Sequence, residues 1–82
     1  MKLQIVNFMP EIIESDILYY SPEYEIACHL CACGCGNKVF TPTGNKGWKI
    51  DIDTITLSPS IRSFQLECKS HYFIRNGQII WC

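Results

Sequence analysis

Glu25-Ile26-Ala27-Cys28-His29-Leu30-Cys31-Ala32-Cys33-Gly34-Cys35-Gly36, residues 25–36, is the stretch that decides how this chain folds. Ile26, Cys28, Leu30 and Ala32 are apolar, and His29, Cys31 and Cys33 fall between them. A period of two is that of a strand with one face on a core and the other presenting polar groups. A strand over Glu25 to Cys33 is therefore predicted, with the even positions inward and the histidine and thiols on the opposite face. Gly34 and Gly36 then free the backbone to turn and aim several sulfurs at one point.

A fourth candidate sulfur and a second histidine follow later, in Cys68-Lys69-Ser70-His71. Thiolate and imidazole are the ligands that zinc selects. Five residues, Cys31, Cys33, Cys35, Cys68 and His71, compete for the four places of a tetrahedral zinc site. Cys33, Cys35, Cys68 and His71 are preferred, because Cys33 and Cys35 sit at the glycine turn; Cys31 with Cys35 is the alternative. The competing reading, buried thiols acting as small hydrophobes, suits Cys28 on the apolar face. Cys82 ends the given sequence and is left out of the site.

Outward from this centre the chain reads as short apolar runs rich in Ile, Tyr, Phe and Trp, broken by Gly, Pro and Asn-Gly. Predicted strands are Lys2 to Phe8, Ile17 to Tyr20, Lys38 to Thr41, Trp48 to Ile52, Ile55 to Leu57, Tyr72 to Arg75 and Gln78 to Trp81. Ser21-Pro22-Glu23-Tyr24 has the form of a capped single helical turn. Asn76-Gly77 suits a type I′ hairpin. Asp53-Thr54 marks a second hairpin whose tip lacks the usual glycine, and Ser58-Pro59-Ser60-Ile61 breaks the strand pattern. The fold expected is mainly β: one small antiparallel domain over residues 1–82, stapled by a zinc-ribbon-like Cys/His site with two facing knuckles.

The bulk numbers agree with a staple. A chain of 82 residues buries a modest core, and folds of this size usually add a disulfide, a metal or a partner. Met1-Lys2-Leu3-Gln4 has no long apolar run behind it, so a cytoplasmic setting with reduced thiols is expected, and metal rather than disulfides. No run reaches membrane-spanning length. A net charge of −1 without a basic block argues against nucleic acid and against a membrane surface.

Other polar residues have bland readings beside their chemical ones. His29 projects on the face of Cys31, as a ligand, an orienter, a base beside a spare thiolate, or a half-exposed strand histidine. Ser60 is a nucleophile or a turn-capping hydroxyl. Asp51, Asp53 and Glu23 read as solvated charges. Trp48, Tyr72 and Trp81 read as core or groove lining.

Taken together, His29-Leu30-Cys31-Ala32-Cys33-Gly34-Cys35-Gly36, Thr41-Pro42, Gly47-Trp48, Thr56-Leu57-Ser58-Pro59-Ser60-Ile61, Cys68-Lys69-Ser70-His71-Tyr72-Phe73-Ile74-Arg75-Asn76-Gly77 and Trp81 resemble a family of small bacterial proteins. Its members are encoded beside homologues of ubiquitin-activating enzyme, ubiquitin-conjugating enzyme and ubiquitin-like proteins. The resemblance runs from about Leu18 to Trp81. The family pattern has Asp-Gly where this chain has Asp53-Thr54. The resemblance implies a zinc-containing peptidase that matures a ubiquitin-like protein or strips it from targets, in a bacterial conjugation pathway with a part in antiphage defence. The alternative is a zinc module that recruits the ubiquitin-like protein or its activating and conjugating enzymes without cleaving; an iron–sulfur or redox protein is a third. Zinc closed by three thiolates and an imidazole has no open position for water, which metallopeptidase chemistry needs. If the zinc is structural, His29 with Cys31, or Ser60 near His29, are the candidates for catalysis.

Overall fold

The computed structural model of the chain describes residues 1–44, 47–62 and 71–82. Those residues form eight strands and no helix, in two four-stranded sheets. The first sheet holds β1 (Lys2–Ile5), β2 (Ile17–Ser21), β3 (Ile26–Leu30) and β4 (Lys38–Pro42) in that order. The second holds β5 (Lys49–Asp51), β6 (Thr56–Arg62), β7 (His71–Arg75) and β8 (Gln78–Trp81), also in chain order. Every neighbouring pair is antiparallel except β1 with β2, which run parallel. No described helix is long and apolar enough to cross a membrane.

The main core draws on both sheets. Leu18 of β2 and Ala27 of β3 pack with Cys31, Leu57 and Ile61 of β6, and Tyr72 and Ile74 of β7. Each fully buried aliphatic or aromatic side chain here contributes roughly 1.5–3 kcal/mol. A second, smaller cluster of Ile13, Tyr19 and Cys28 lies on the other face of the first sheet, with Val6, Met9, Ile17 and Leu30 against it. The expected strand from Lys2 to Phe8 therefore stops at Ile5, and the following segment folds over the sheet. Tyr19 helps hold it, its hydroxyl accepting the Glu14 N–H at 3.1 Å.

This second cluster changes the reading of β3. Both its faces are covered: Ala27, Cys28 and His29 are all wholly buried. The odd face, read as the polar one, is the face turned to the main core, through Ala27 and Cys31. The even face, with Cys28, meets the smaller cluster. Alternation marked two faces correctly but could not say which of two cores each would meet.

The turns follow their local chemistry. Ser21 Oγ accepts the Tyr24 N–H at 3.4 Å, as a helix cap would, but Glu25 enters the left-handed region at φ 52° and the chain reverses into β3. One turn has too few hydrogen bonds to propagate a helix. The tip between β5 and β6 is a longer loop: Asp51 pairs with Thr56, and Asp51 Oδ1 accepts the N–H groups of Asp53 and Thr54 at 3.0 and 3.3 Å. Asn76 and Gly77 adopt φ 51° and 69°, as a type I′ turn requires.

An L side chain at Gly77 would be strained by that φ, and its Cβ would come within 2.9 Å of the Met1 carbonyl oxygen. Gly77→Ala is expected to cost about 1–2 kcal/mol, read as a lower urea midpoint at unchanged slope. An unchanged midpoint would contradict this turn geometry.

Candidate active site and cysteine cluster

β6 does not stop at the proline as its sequence suggested; it runs on to Arg62. The irregularity lies within the strand. Leu57 pairs with Ile74 and Ile61 with Tyr72, so residues 58 to 60 of β6 stand opposite Phe73 alone. Such bulges admit a proline, and they re-aim side chains. Beyond the bulge, regular pairing resumes with Ile61 on Tyr72 and Arg62 on His71. Ser60 is thereby the diagonal neighbour of His71, and diagonal neighbours lie within reach of a long side chain.

That reach is used. Ser60 Oγ lies 2.9 Å from His71 Nε2. Ser60 is nearly buried and His71 half-buried, so the pair sits at the margin of the core. The His71 backbone is fixed from the other side by β8, its carbonyl accepting the Cys82 N–H at 3.1 Å. A hydroxyl in contact with an imidazole can be activated by it as a nucleophile.

His29 is elsewhere in this scheme. It is wholly buried, and burial pushes its imidazole down to about 4, so it is neutral at neutral pH. Its Nε2 lies 2.7 Å from the Tyr72 hydroxyl, and Nδ1 has no partner. Ser60, one expected partner of His29, has its imidazole contact with His71 instead.

The cysteines occupy the loop between β3 and β4. The Cys31 N–H donates to the Asn37 carbonyl at 2.9 Å, closing the loop, and Gly34 donates to the Cys31 carbonyl at 3.1 Å. Gly34 and Gly36 take φ 86° and 82°, which a side chain would strain. The sulfurs of Cys31, Cys33 and Cys35 all lie within 4.8 Å of one another, those of Cys31 and Cys33 at 3.5 Å. Tetrahedral zinc with bonds of about 2.3 Å holds its sulfurs about 3.8 Å apart. The donor set thus fits a thiolate-bound metal ion such as zinc, and these three cysteines could hold one. Cys31 is buried and the other two are exposed. Among the described residues, His71 is not in this group. Cys68, the other expected ligand, lies outside the described residues.

Cys28 is a core hydrophobe, its thiol pushed up by burial and so kept protonated. Cys82 is exposed at the end of β8.

Sequence reasoning named both Ser60 and His71 but assigned them to different sites. The signal that could have joined them is Pro59. A proline inside a strand pattern marks a bulge, so a strand continuing past it pairs with the strand that begins at His71.

A serine hydroxyl within hydrogen-bond reach of an imidazole is an arrangement that nucleophilic catalysis can use. Residues 5–82 match the family described as bacterial ubiquitination-like system serine protease (BubE), and the chain belongs to it. It is thus a protease-like component of a bacterial ubiquitination-like system, as the motifs of the chain implied. No curated protein and no solved structure matches.

Cobalt(II) bound at the cysteine loop is expected to give thiolate charge-transfer absorption. Cys33→Ser should remove or strongly weaken it. Cys28→Ala should keep it while costing about 1 kcal/mol of stability. Absorption that survives Cys33→Ser, or vanishes in Cys28→Ala, would place the metal elsewhere.

Proposed function

We propose that the chain is a serine peptidase that cuts the C-terminal tail of a ubiquitin-like protein, either maturing it or releasing it from a conjugate. The single observation that carries this is the 2.9 Å contact between Ser60 Oγ and His71 Nε2. In this reading Ser60 donates its proton to Nε2 as Oγ attacks the scissile carbonyl carbon. His71 returns that proton to the departing amine as the C–N bond breaks. The acyl group is then an ester on Ser60. Water, deprotonated by the same imidazole, hydrolyses it and frees the carboxylate and the serine.

The metal has a separate task. Cys31, Cys33 and Cys35 would hold a zinc ion, with Cys68 as the fourth thiolate, and the ion would supply a structural cross-link to a small fold. Assigning Cys68 the fourth place leaves His71 to Ser60. This reconciles a Cys-rich chain with a family described by its serine. A zinc module that only recruits partners would leave the nucleophile–base contact without a purpose. The substrate tail is extended by nature and can add as a strand to a sheet edge, which β5 and β8 present. Reduced thiolates suit the cytoplasm, and the pathway served is a ubiquitin-like conjugation system with its activating and conjugating enzymes as partners, in antiphage defence.

The test is a mass-spectrometric time course with a cognate ubiquitin-like precursor. Wild type is expected to release the tail. Ser60→Ala and His71→Ala should each lower the rate by at least about 10³-fold while the zinc content stays at the wild-type level. Turnover at the wild-type rate by either variant would refute the assignment. Loss of zinc in His71→Ala would return that residue to the metal.

A further inference from the structure

The two sheets leave an open cleft where β5 begins, with a volume of about 290 Å³. Tyr20, Pro22, Glu25 and Thr43 line it from the first sheet and its flanking turns, and Trp48 and Lys49 from the start of the second. Tyr20 and Trp48 also pack against the core that the sheets share. Ser60 and His71 precede the core residues Ile61 and Tyr72, and alternation turns them to the other face. The cleft is therefore separate from the serine–histidine pair.

Backbone ties build this cleft. The Thr43 N–H donates to the Glu25 carbonyl at 2.7 Å, and the Trp48 N–H donates to the Pro42 carbonyl at 2.8 Å. A side chain at Gly47 would collide with that Pro42 carbonyl. Gly44 makes room for a carboxylate: a Cβ there would lie 2.8 Å from Glu25 Oε2. Among the described residues Glu25 has no ion-pair partner, although Lys49 lines the same cleft. Three buried side-chain polar atoms of the described residues lack a hydrogen bond, and two of them belong to this lining, Thr43 Oγ1 and Trp48 Nε1. Folded proteins leave few such atoms, so their clustering marks a place that the protein alone leaves incomplete.

An unpaired carboxylate beside two half-buried aromatic rings has the chemistry that recognises an organic cation. The carboxylate offers charge-assisted hydrogen bonds, and aromatic rings attract a cation and pack its aliphatic stem. The volume lies at the low end for ligand sites, which suits one side chain rather than a cofactor. The edge strand β5 borders the cleft, and an extended peptide can pair with such an edge while a side chain enters the adjoining pocket. We infer that the cleft binds a lysine or arginine side chain of a partner polypeptide, its charged end on the Glu25 carboxylate and its stem against Tyr20 and Trp48. Lys49 is exposed, and its ammonium can turn to solvent. Binding of this kind does not depend on Ser60 acting as a nucleophile.

The test is a nuclear magnetic resonance titration of the isotope-labelled full chain with the blocked peptide Ala-Ala-Arg-Ala-Ala. The reporter is the Trp48 indole N–H, assigned with Trp48→Phe. The peptide is expected to shift the Trp48 indole and Gly44 amide resonances saturably and to leave the Trp81 indole in place. The same peptide with citrulline for arginine keeps the shape and loses the charge, and should bind at least about tenfold more weakly. Glu25→Gln, a change at an exposed position, should weaken the arginine peptide by about tenfold and leave the citrulline peptide unchanged. Resonances that stay in place at millimolar peptide, or equal affinity for arginine and citrulline, would overturn the inference. Tighter binding of a glutamate peptide would also overturn it, since Lys49 would then be the recognising group. Free argininamide binding as tightly as the peptide would overturn the assignment to a polypeptide.

Discussion

Ile61 and Tyr72 face each other across β6 and β7, and both are buried in the core shared by the two sheets. Burial of this pair fixes the register just beyond the bulge, because slipping one residue would turn each side chain to the wrong face. Ser60 precedes the first and His71 precedes the second. The positions of Ser60 and His71 are thus set by hydrophobic packing next to them. A site built on paired strands keeps its geometry better than one on loops.

The cysteine loop is anchored to the same core from the first sheet. Cys31 is both a member of the sulfur cluster and a member of the hydrophobic cluster that includes Tyr72. A metal bound there would close the end of the β3–β4 hairpin and clamp it to β7 through the residues it contacts. For a chain of 82 residues such a clamp matters, because the core alone leaves a thin margin over conformational entropy. In the function proposed above, metal and serine serve different ends, one holding the fold and the other available for chemistry.

Much of this was legible in the sequence. Alternation and Asn-Gly located β3, β7 and β8, and the glycines among the cysteines located the loop whose three sulfurs could hold a metal. The harder features were those decided by tertiary packing. The alternating face of β3 carries His29 inward because segment 6–16 supplies a second core on the opposite side, and nothing local to β3 signals that. Ser58-Pro59-Ser60 reads as a turn by composition, and only its pairing with β7 makes it a bulge. Spacing joined His71 to Cys68, since ligand motifs are written in sequence separation. The contact with Ser60 is written in strand register.

The most direct measurement of the central claim is a rapid acid quench of the protein with its ubiquitin-like substrate, followed by intact-mass analysis and peptide mapping. An acyl adduct of the substrate, attached as an ester to Ser60 and formed before product accumulates, is the expected result. Release of product with no covalent intermediate, together with continued turnover by Ser60→Ala, would contradict the account.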